Sequence, residues 1–358
     1  MSDTLVEPPP PTVTDPGPLL EPAPRPARRG ATCAVLALIA VLLGAVGAVA
    51  VWFFVLRSTA EARAHIPDRA AVVVRVVAAD LALFAPVRKH LWPLVTDAEP
   101  APAGATRPTR AARVREATGV SATDVREMVI ASTDAASWVL LVGGRMARGR
   151  FVSGLARVMQ DEGVPGWGMS GEVLVGPGGM AVAQAEDGTI IVGSGVEVAR
   201  AALPAGEGWR DLGLPEAPAS LVVSGDTWKA LGRTAFAVPG SDVLGRIRRA
   251  SGTLTLGDEP AIDLRLTAQE GVDAGELARG VEALLAGLRL GLMLAPDRYG
   301  EKEAVAAATT RVEGAEVALH VPWPRFGFDR AAQELADRMR AADAPAASAA
   351  PAATPPRR

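Results

Sequence analysis

Residues 252–266 read GTLTLGDEPAIDLRL. In Ile262-Asp263-Leu264-Arg265-Leu266, apolar and charged side chains alternate strictly, the period of a β-strand. Ile262, Leu264 and Leu266 therefore point inward while Asp263 and Arg265 face solvent. Gly252-Thr253-Leu254-Thr255-Leu256 precedes it, and Gly257-Asp258 between them is a turn signal. The pair reads as an antiparallel hairpin with one solvated face. Earlier in the chain, Glu127-Met128-Val129-Ile130-Ala131-Ser132 turns at Thr133-Asp134 into Trp138-Val139-Leu140-Leu141-Val142. The two hairpins are counterparts.

The correspondence extends outward. Ile66-Pro67 leads into Ala71-Val72-Val73-Val74, and Leu214-Pro215, 148 residues later, leads into Leu221-Val222-Val223. Asp80 and Asp226 follow these runs where an N-capping carboxylate would start a helix. After each hairpin comes helical spacing, at Leu155–Met159 and Leu277–Leu288. Further hairpins follow, Val173–Val175 into Met180–Ala183 and Thr310–Val312 into Val317–Leu319, with an added strand at Thr189–Val192 after the Asp187-Gly188 turn. Helices near Val196–Leu203 and Asp329–Arg340 close the halves. The expectation is an α+β fold: two tandem, duplicated β-α-β-β-α-β-β-α units, 60–205 and 206–340, with antiparallel-rich sheets. Whether the sheets stack or lie side by side is left open.

Residues 31–56, ATCAVLALIAVLLGAVGAVAVWFFVL, carry no charge. A helix of this length, at about 1.5 Å per residue, exceeds the roughly 30 Å hydrocarbon core, so a single transmembrane helix is expected, contacting membrane lipid. A cleaved signal peptide is the alternative, with an A-x-A-like site at Ser58–Ala62. Arg25, Arg28 and Arg29 precede the run, which argues for a cytoplasmic N-terminus and an extracytoplasmic body at the inner (cytoplasmic) membrane. Ala40, Gly44 and Ala48 form a small-residue stripe suited to a weak homodimer. Residues 1–30 hold nine of the 29 prolines and 341–358 four more, so both tails read as extended or disordered.

The composition limits the chemistry. A net charge of −3 lacks the footprint of a nucleic-acid binder. One cysteine, Cys33, excludes an internal disulfide framework and a Cys-cluster metal site. Only His65, His90 and His320 are available as bases. Gly168-Met169-Ser170-Gly171 and Gly193-Ser194-Gly195 fall short of G-x-S-x-G, and Gly176-Pro177-Gly178-Gly179 lacks the Lys-Ser/Thr of a phosphate loop. No catalytic residue, cofactor or metal is expected. Arginines 107, 110, 113 and 115, and 145, 148 and 150, read as solvated faces or contacts to an acidic envelope polymer.

The feature that stands out is Trp323-Pro324-Arg325-Phe326-Gly327-Phe328, at a strand-to-helix junction. Only twelve aromatic residues lie outside 31–56, and three of them fall in these six positions. Trp323, Arg325, Phe326 and Phe328, with Tyr299 from the loop 297–303, form a candidate partner contact, or else staple the last helix to the sheet.

Ile66–Val76, IPDRAAVVVRV, following an apolar anchor, resembles uncharacterised single-pass envelope proteins of high-GC bacteria. The bias of 34 Arg to 3 Lys is what a GC-rich genome produces. The resemblance implies a membrane-anchored envelope protein and no particular chemistry. Anchor, repeated body and scarce acid–base groups together suggest a membrane-tethered, non-enzymatic protein that binds an unidentified envelope protein or polymer, or organises the envelope. The alternatives are a carboxylate-based hydrolase with its site between the halves, and a carrier or sensor of an apolar ligand.

Overall fold

The computed structural model describes residues 60–96, 108–134, 136–225, 227 and 240–343. The chain divides into Met1–Arg57 and Ser58–Arg358, and every described residue belongs to the second unit. The strands are β1 (Val72–Val77), β2 (Val125–Ser132), β3 (Trp138–Gly144), β4 (Gly168–Ser170), β5 (Val173–Val175) and β6 (Ala181–Gln184). After them come β7 (Ile190–Gly193), β8 (Ala219–Ser224), β9 (Ile247–Thr255), β10 (Ala261–Ala268), β11 (Thr309–Glu313) and β12 (Glu316–Pro322). Three short helices follow β1: α1 (Ala78–Leu83), α2 (Ala85–His90) and α3 (Trp92–Val95). The rest are α4 (Arg110–Thr118), α5 (Phe151–Asp161), α6 (Val196–Ala201), α7 (Ala274–Leu294), α8 (Glu301–Ala307) and α9 (Arg325–Asp343).

The sequence predicts two sheets; the structure has one. All strands join a single 12-stranded sheet in the order β11-β12-β10-β9-β8-β1-β2-β3-β7-β6-β5-β4. Every pairing in it is antiparallel. The expected pair of tandem units with separate sheets is thereby corrected to one mixed α/β body. The cause is the seam between β1 and β8, which pair from Val72↔Val223 to Val76↔Ala219. Each opens its half with an apolar run and an unpaired edge. Zipping those edges satisfies both rows of backbone N–H and C=O groups at once. The neighbour order is β1-β2-β3-β7-β6 on one side of the seam and β8-β9-β10-β12-β11 on the other.

The reading as a single-pass transmembrane protein is also corrected. Among the described residues no helix is long and apolar enough to cross a membrane. The run 31–56, the Ala40/Gly44/Ala48 stripe, the tail 1–30 and residues 344–358 lie outside the described residues, as does most of the helix expected after Asp226; residues 341–343, expected in the disordered tail, instead continue the last helix.

Local chemistry accounts for the helices that frame the sheet. Asp273 caps α7 by accepting from the Gly275 and Glu276 amides. Thr109 caps α4, which ends at Gly119 in the left-handed conformation (φ 72°). One face of the sheet is covered along both halves. On β5, β6 and β7, Leu174, Val182 and Ile190 pack with Val152 of α5. On the second half Ile247, Leu266 and Val317 pack with Leu277, Val281 and Leu285 of α7.

The opposite face is asymmetric. Over the first half Val73, Val129, Leu141 and Ile191 lie beneath Ala62 and Ile66 of the incoming segment, Ala199 of α6 and Trp209. Over the second half, among the described residues, no corresponding helix covers this face. α6 follows β7 and folds back on the sheet; α9 follows β12 but goes to α2 instead. There the Phe328 ring meets Phe84 edge-on at 5.5 Å, and Asp329 pairs with His90 at 3.1 Å. Among the described residues, that departure leaves half of one sheet face without a covering helix.

Candidate functional site

Cross-strand register fixes what the bare face presents, because residues directly opposite in an antiparallel pair share a face. One row runs Thr309, His320, Asp263, Thr253, Ser220, Arg75 across β11, β12, β10, β9, β8 and β1. The next runs Arg311, Ala318, Arg265, Ser251, Val222, Val73. The members of these rows on β9 to β12, from Ser251 and Thr253 to Thr309 and Arg311, line a trough of about 830 Å³ together with Pro215 and Glu313, and Ser220 and Arg75 lie beyond its lining. Its walls combine hydroxyl, guanidinium and carboxylate groups and the His320 imidazole with apolar Pro215, Leu264, Ala318 and Leu319. Within it His320 Nδ1 lies 2.7 Å from Asp263 Oδ1, both side chains being about half exposed.

The trough ends at the seam, where the face changes from polar to apolar. Arg75 donates from Nε to Glu127 at 3.1 Å and from Nη1 to Glu216 at 3.2 Å. Arg63 joins the same two carboxylates, with Nε 3.5 Å from Glu127 and Nη1 3.0 Å from Glu216. The Arg63 guanidinium also lies over the Trp209 ring at 4.8 Å, a cation–π contact. The carboxylates at the junction between the halves are thus neutralised in an ion network. That arrangement holds the incoming segment to β1 and β2 rather than offering a free acid–base pair. Ser220 stands next to this network, 2% exposed, and its Oγ has no hydrogen-bond partner.

A second buried polar contact lies under the covered half. His65, 3% exposed, donates from Nδ1 to the Ala202 carbonyl at 2.9 Å and places Nε2 3.3 Å from Asp187. Burial alone would lower the imidazole pKa; the Asp187 contact and the Ala202 and Leu203 carbonyls outweigh it and raise it. Burial alone would raise the Asp187 carboxyl. The bonds from His65 and from the Thr189 amide and hydroxyl prevail and bring it to about 2.

The aromatic cluster at the β12–α9 junction is brought together, and most of it faces inward. Trp323 donates from Nε1 to the Tyr299 carbonyl at 2.8 Å and its ring lies 6.3 Å from Phe328. Tyr299 donates its hydroxyl to Glu334 at 2.8 Å. Gly327 is required there, since a Cβ on it would sit 1.9 Å from the Tyr299 carbonyl oxygen. Arg325 pairs with Asp258 at 2.7 Å, and Phe326 is 52% exposed. Trp323, Tyr299 and Phe328 therefore fasten α9, while Phe326 and Arg325 remain at the surface.

Alternation in 262–266 places Asp263 and Arg265 outward, but the sequence holds no signal that His320, Arg311, Thr253 and Ser220 share their face. Those meet only through long-range register.

No protein-family model matches the chain, and no curated protein matches it. Among solved structures it is similar to crystal form I of TP0453, with a TM-score of 0.40 and 9% identity, over 79% of this chain and 98% of that one. A likeness at that level carries no argument about fold or function.

Proposed function

We propose that this chain is a non-enzymatic binding protein whose binding face is the uncovered half of the sheet. The observation that supports it is the asymmetry of one sheet face: packed beneath α6 and the incoming segment on one side of the seam and, among the described residues, uncovered and rich in charged and hydroxyl groups on the other. A bare antiparallel face needs only solvated side chains. This one goes further, gathering hydroxyls and charges in a trough of about 830 Å³, within the usual range of ligand sites.

The test is a photo-crosslinking side chain introduced at Thr253, inside the trough, and separately at Glu172, an exposed position between β4 and β5. A discrete adduct from position 253, suppressed by Ala318→Trp and absent from position 172, is the expected result. No adduct at 253, or equal yields at both positions, overturns the reading.

A further inference from the structure

Arg265 on β10 and Arg311 on β11 stand in one cross-strand row with Ala318 of β12 between them. Two strand spacings, about 10 Å, separate their backbones, and the methyl of Ala318 leaves the space between the two long side chains open. Both side chains are exposed to the trough, and among the described residues neither guanidinium has a hydrogen-bond or ion-pair partner. Several other arginines of the second half are engaged. Arg249 donates to the Leu212 carbonyl, Arg246 meets Glu276, Arg289 caps three carbonyls before β11, and Arg325 meets Asp258.

The rows on either side carry the opposite sign. Asp263 lies in one, beside His320, and Glu316 and Glu313 face each other across β12 and β11 in the other. The flanking rows also hold Arg75 and Arg249, but both are engaged, so the partnerless guanidinium groups of the trough lie in a single row. A long polyanion would run over these carboxylates, whereas a compact anion would not. One carboxylate is satisfied by one bidentate guanidinium. Two partnerless guanidinium groups rooted on either side of a small residue suit a group of charge near −2 with three acceptor oxygens, which is a phosphate monoester. Ser251 continues the arginine row, and Thr253 stands in the neighbouring Asp263 row directly opposite Ser220, whose buried Oγ lacks a partner. Unpaired buried hydroxyls cost free energy that a ligand hydroxyl can recover.

We propose that the trough binds a small phosphate monoester, with the phosphate between Arg265 and Arg311 and a neutral, hydroxyl-bearing body lying over Ser251 and Thr253 toward Ser220. The proposal rests on the reading of this face as the binding face.

Calorimetric titration of the full-length chain with glucose 6-phosphate, glucose, glucuronate and inorganic phosphate at constant ionic strength tests it. Glucose 6-phosphate is expected to bind saturably, inorganic phosphate more weakly, glucuronate at least tenfold more weakly, and glucose not at all. Arg265→Ala and Arg311→Ala should each weaken glucose 6-phosphate at least tenfold, Ser220→Ala severalfold, and Arg200→Ala on α6 not measurably. Thermal midpoints recorded alongside establish that the variants are folded. Absence of saturable glucose 6-phosphate binding overturns the proposal. Equal binding of glucose or glucuronate, or binding indifferent to both arginine substitutions, overturns it as well. The cross-linking at position 253 separates these failures from failure of the binding face itself: a trough-specific adduct with no phosphate selectivity leaves the face and removes its ligand class.

Discussion

His65 and Asp187 meet at 3.3 Å beneath the covered half of the sheet, joining the segment that precedes β1 to the turn between β6 and β7. His65 is raised above 6.5, so its contribution to stability is complete below that pH and is lost as pH rises through the higher folded value. Asp187 is depressed from 3.8 to about 2, so its contribution is complete above 3.8 and fades as pH falls toward 2. The thermal midpoint is expected to hold a plateau between about pH 4 and 6.5 from this pair and to fall on the alkaline side. His65→Gln should remove the alkaline step attributable to the imidazole. A variant whose pH profile parallels the parent above pH 6.5 would assign that step to another group.

Removing Arg75 leaves Glu127, 10% exposed, beside the seam with only Arg63 to balance it. Breaking a buried ion pair from one side typically costs about 3–5 kcal/mol. Arg75→Ala should lose stability on that order in denaturant unfolding. Glu216→Ala, on a residue whose side chain is 74% exposed, should lose far less. Equal losses would mean that the network acts at the surface.

Ser220→Ala deletes a hydroxyl that has no partner while filling almost the same volume. The unligated chain should be unchanged or more stable, by up to about 1–3 kcal/mol, since the desolvation of an unpaired group is relieved. A clear loss of stability would reveal that the hydroxyl is bonded in solution.

The aromatic junction is expected to matter for folding more than for capture. Trp323→Ala removes a ring packed on Phe328 and a bond to the Tyr299 carbonyl, and should cost about 3 kcal/mol, the lower end for losing a packed aromatic side chain. Phe326→Ser, at a position 52% exposed, should stay within about 0.5 kcal/mol. Denaturant midpoints of the two variants check the contrast; similar midpoints would reject the staple.

Much of the body was legible locally. Hairpins β2–β3 and β9–β10 follow from alternation and turn residues, and α7 from the spacing of Leu277, Val281, Leu284 and Leu285. These depend on neighbours within a few residues. The β1–β8 seam does not: Val72–Val77 and Ala219–Ser224 are short apolar runs that would serve any sheet, and nothing local names the partner. The trough was less legible still. Asp263 and Arg265 read as solvated because their strand alternates, which is where they lie. That their face stays open depends on α9 going to Phe84 and His90 rather than to the sheet, a choice made by side chains more than 230 residues apart. The aromatic hexapeptide stands out by its composition, and composition does not distinguish a fastening from a rim.

The shared seam also has a mechanical consequence. Two lobes linked by a single strand of chain can close on a ligand by bending there. Here the halves are laced by a ladder of main-chain bonds from Val72 to Val76, so bending would have to shear the ladder. The body behaves as one beam. It can twist, but it cannot clasp, so on the proposed binding reading selection in the trough would fall to the reach of individual side chains, and to Arg265 and Arg311 before the rest.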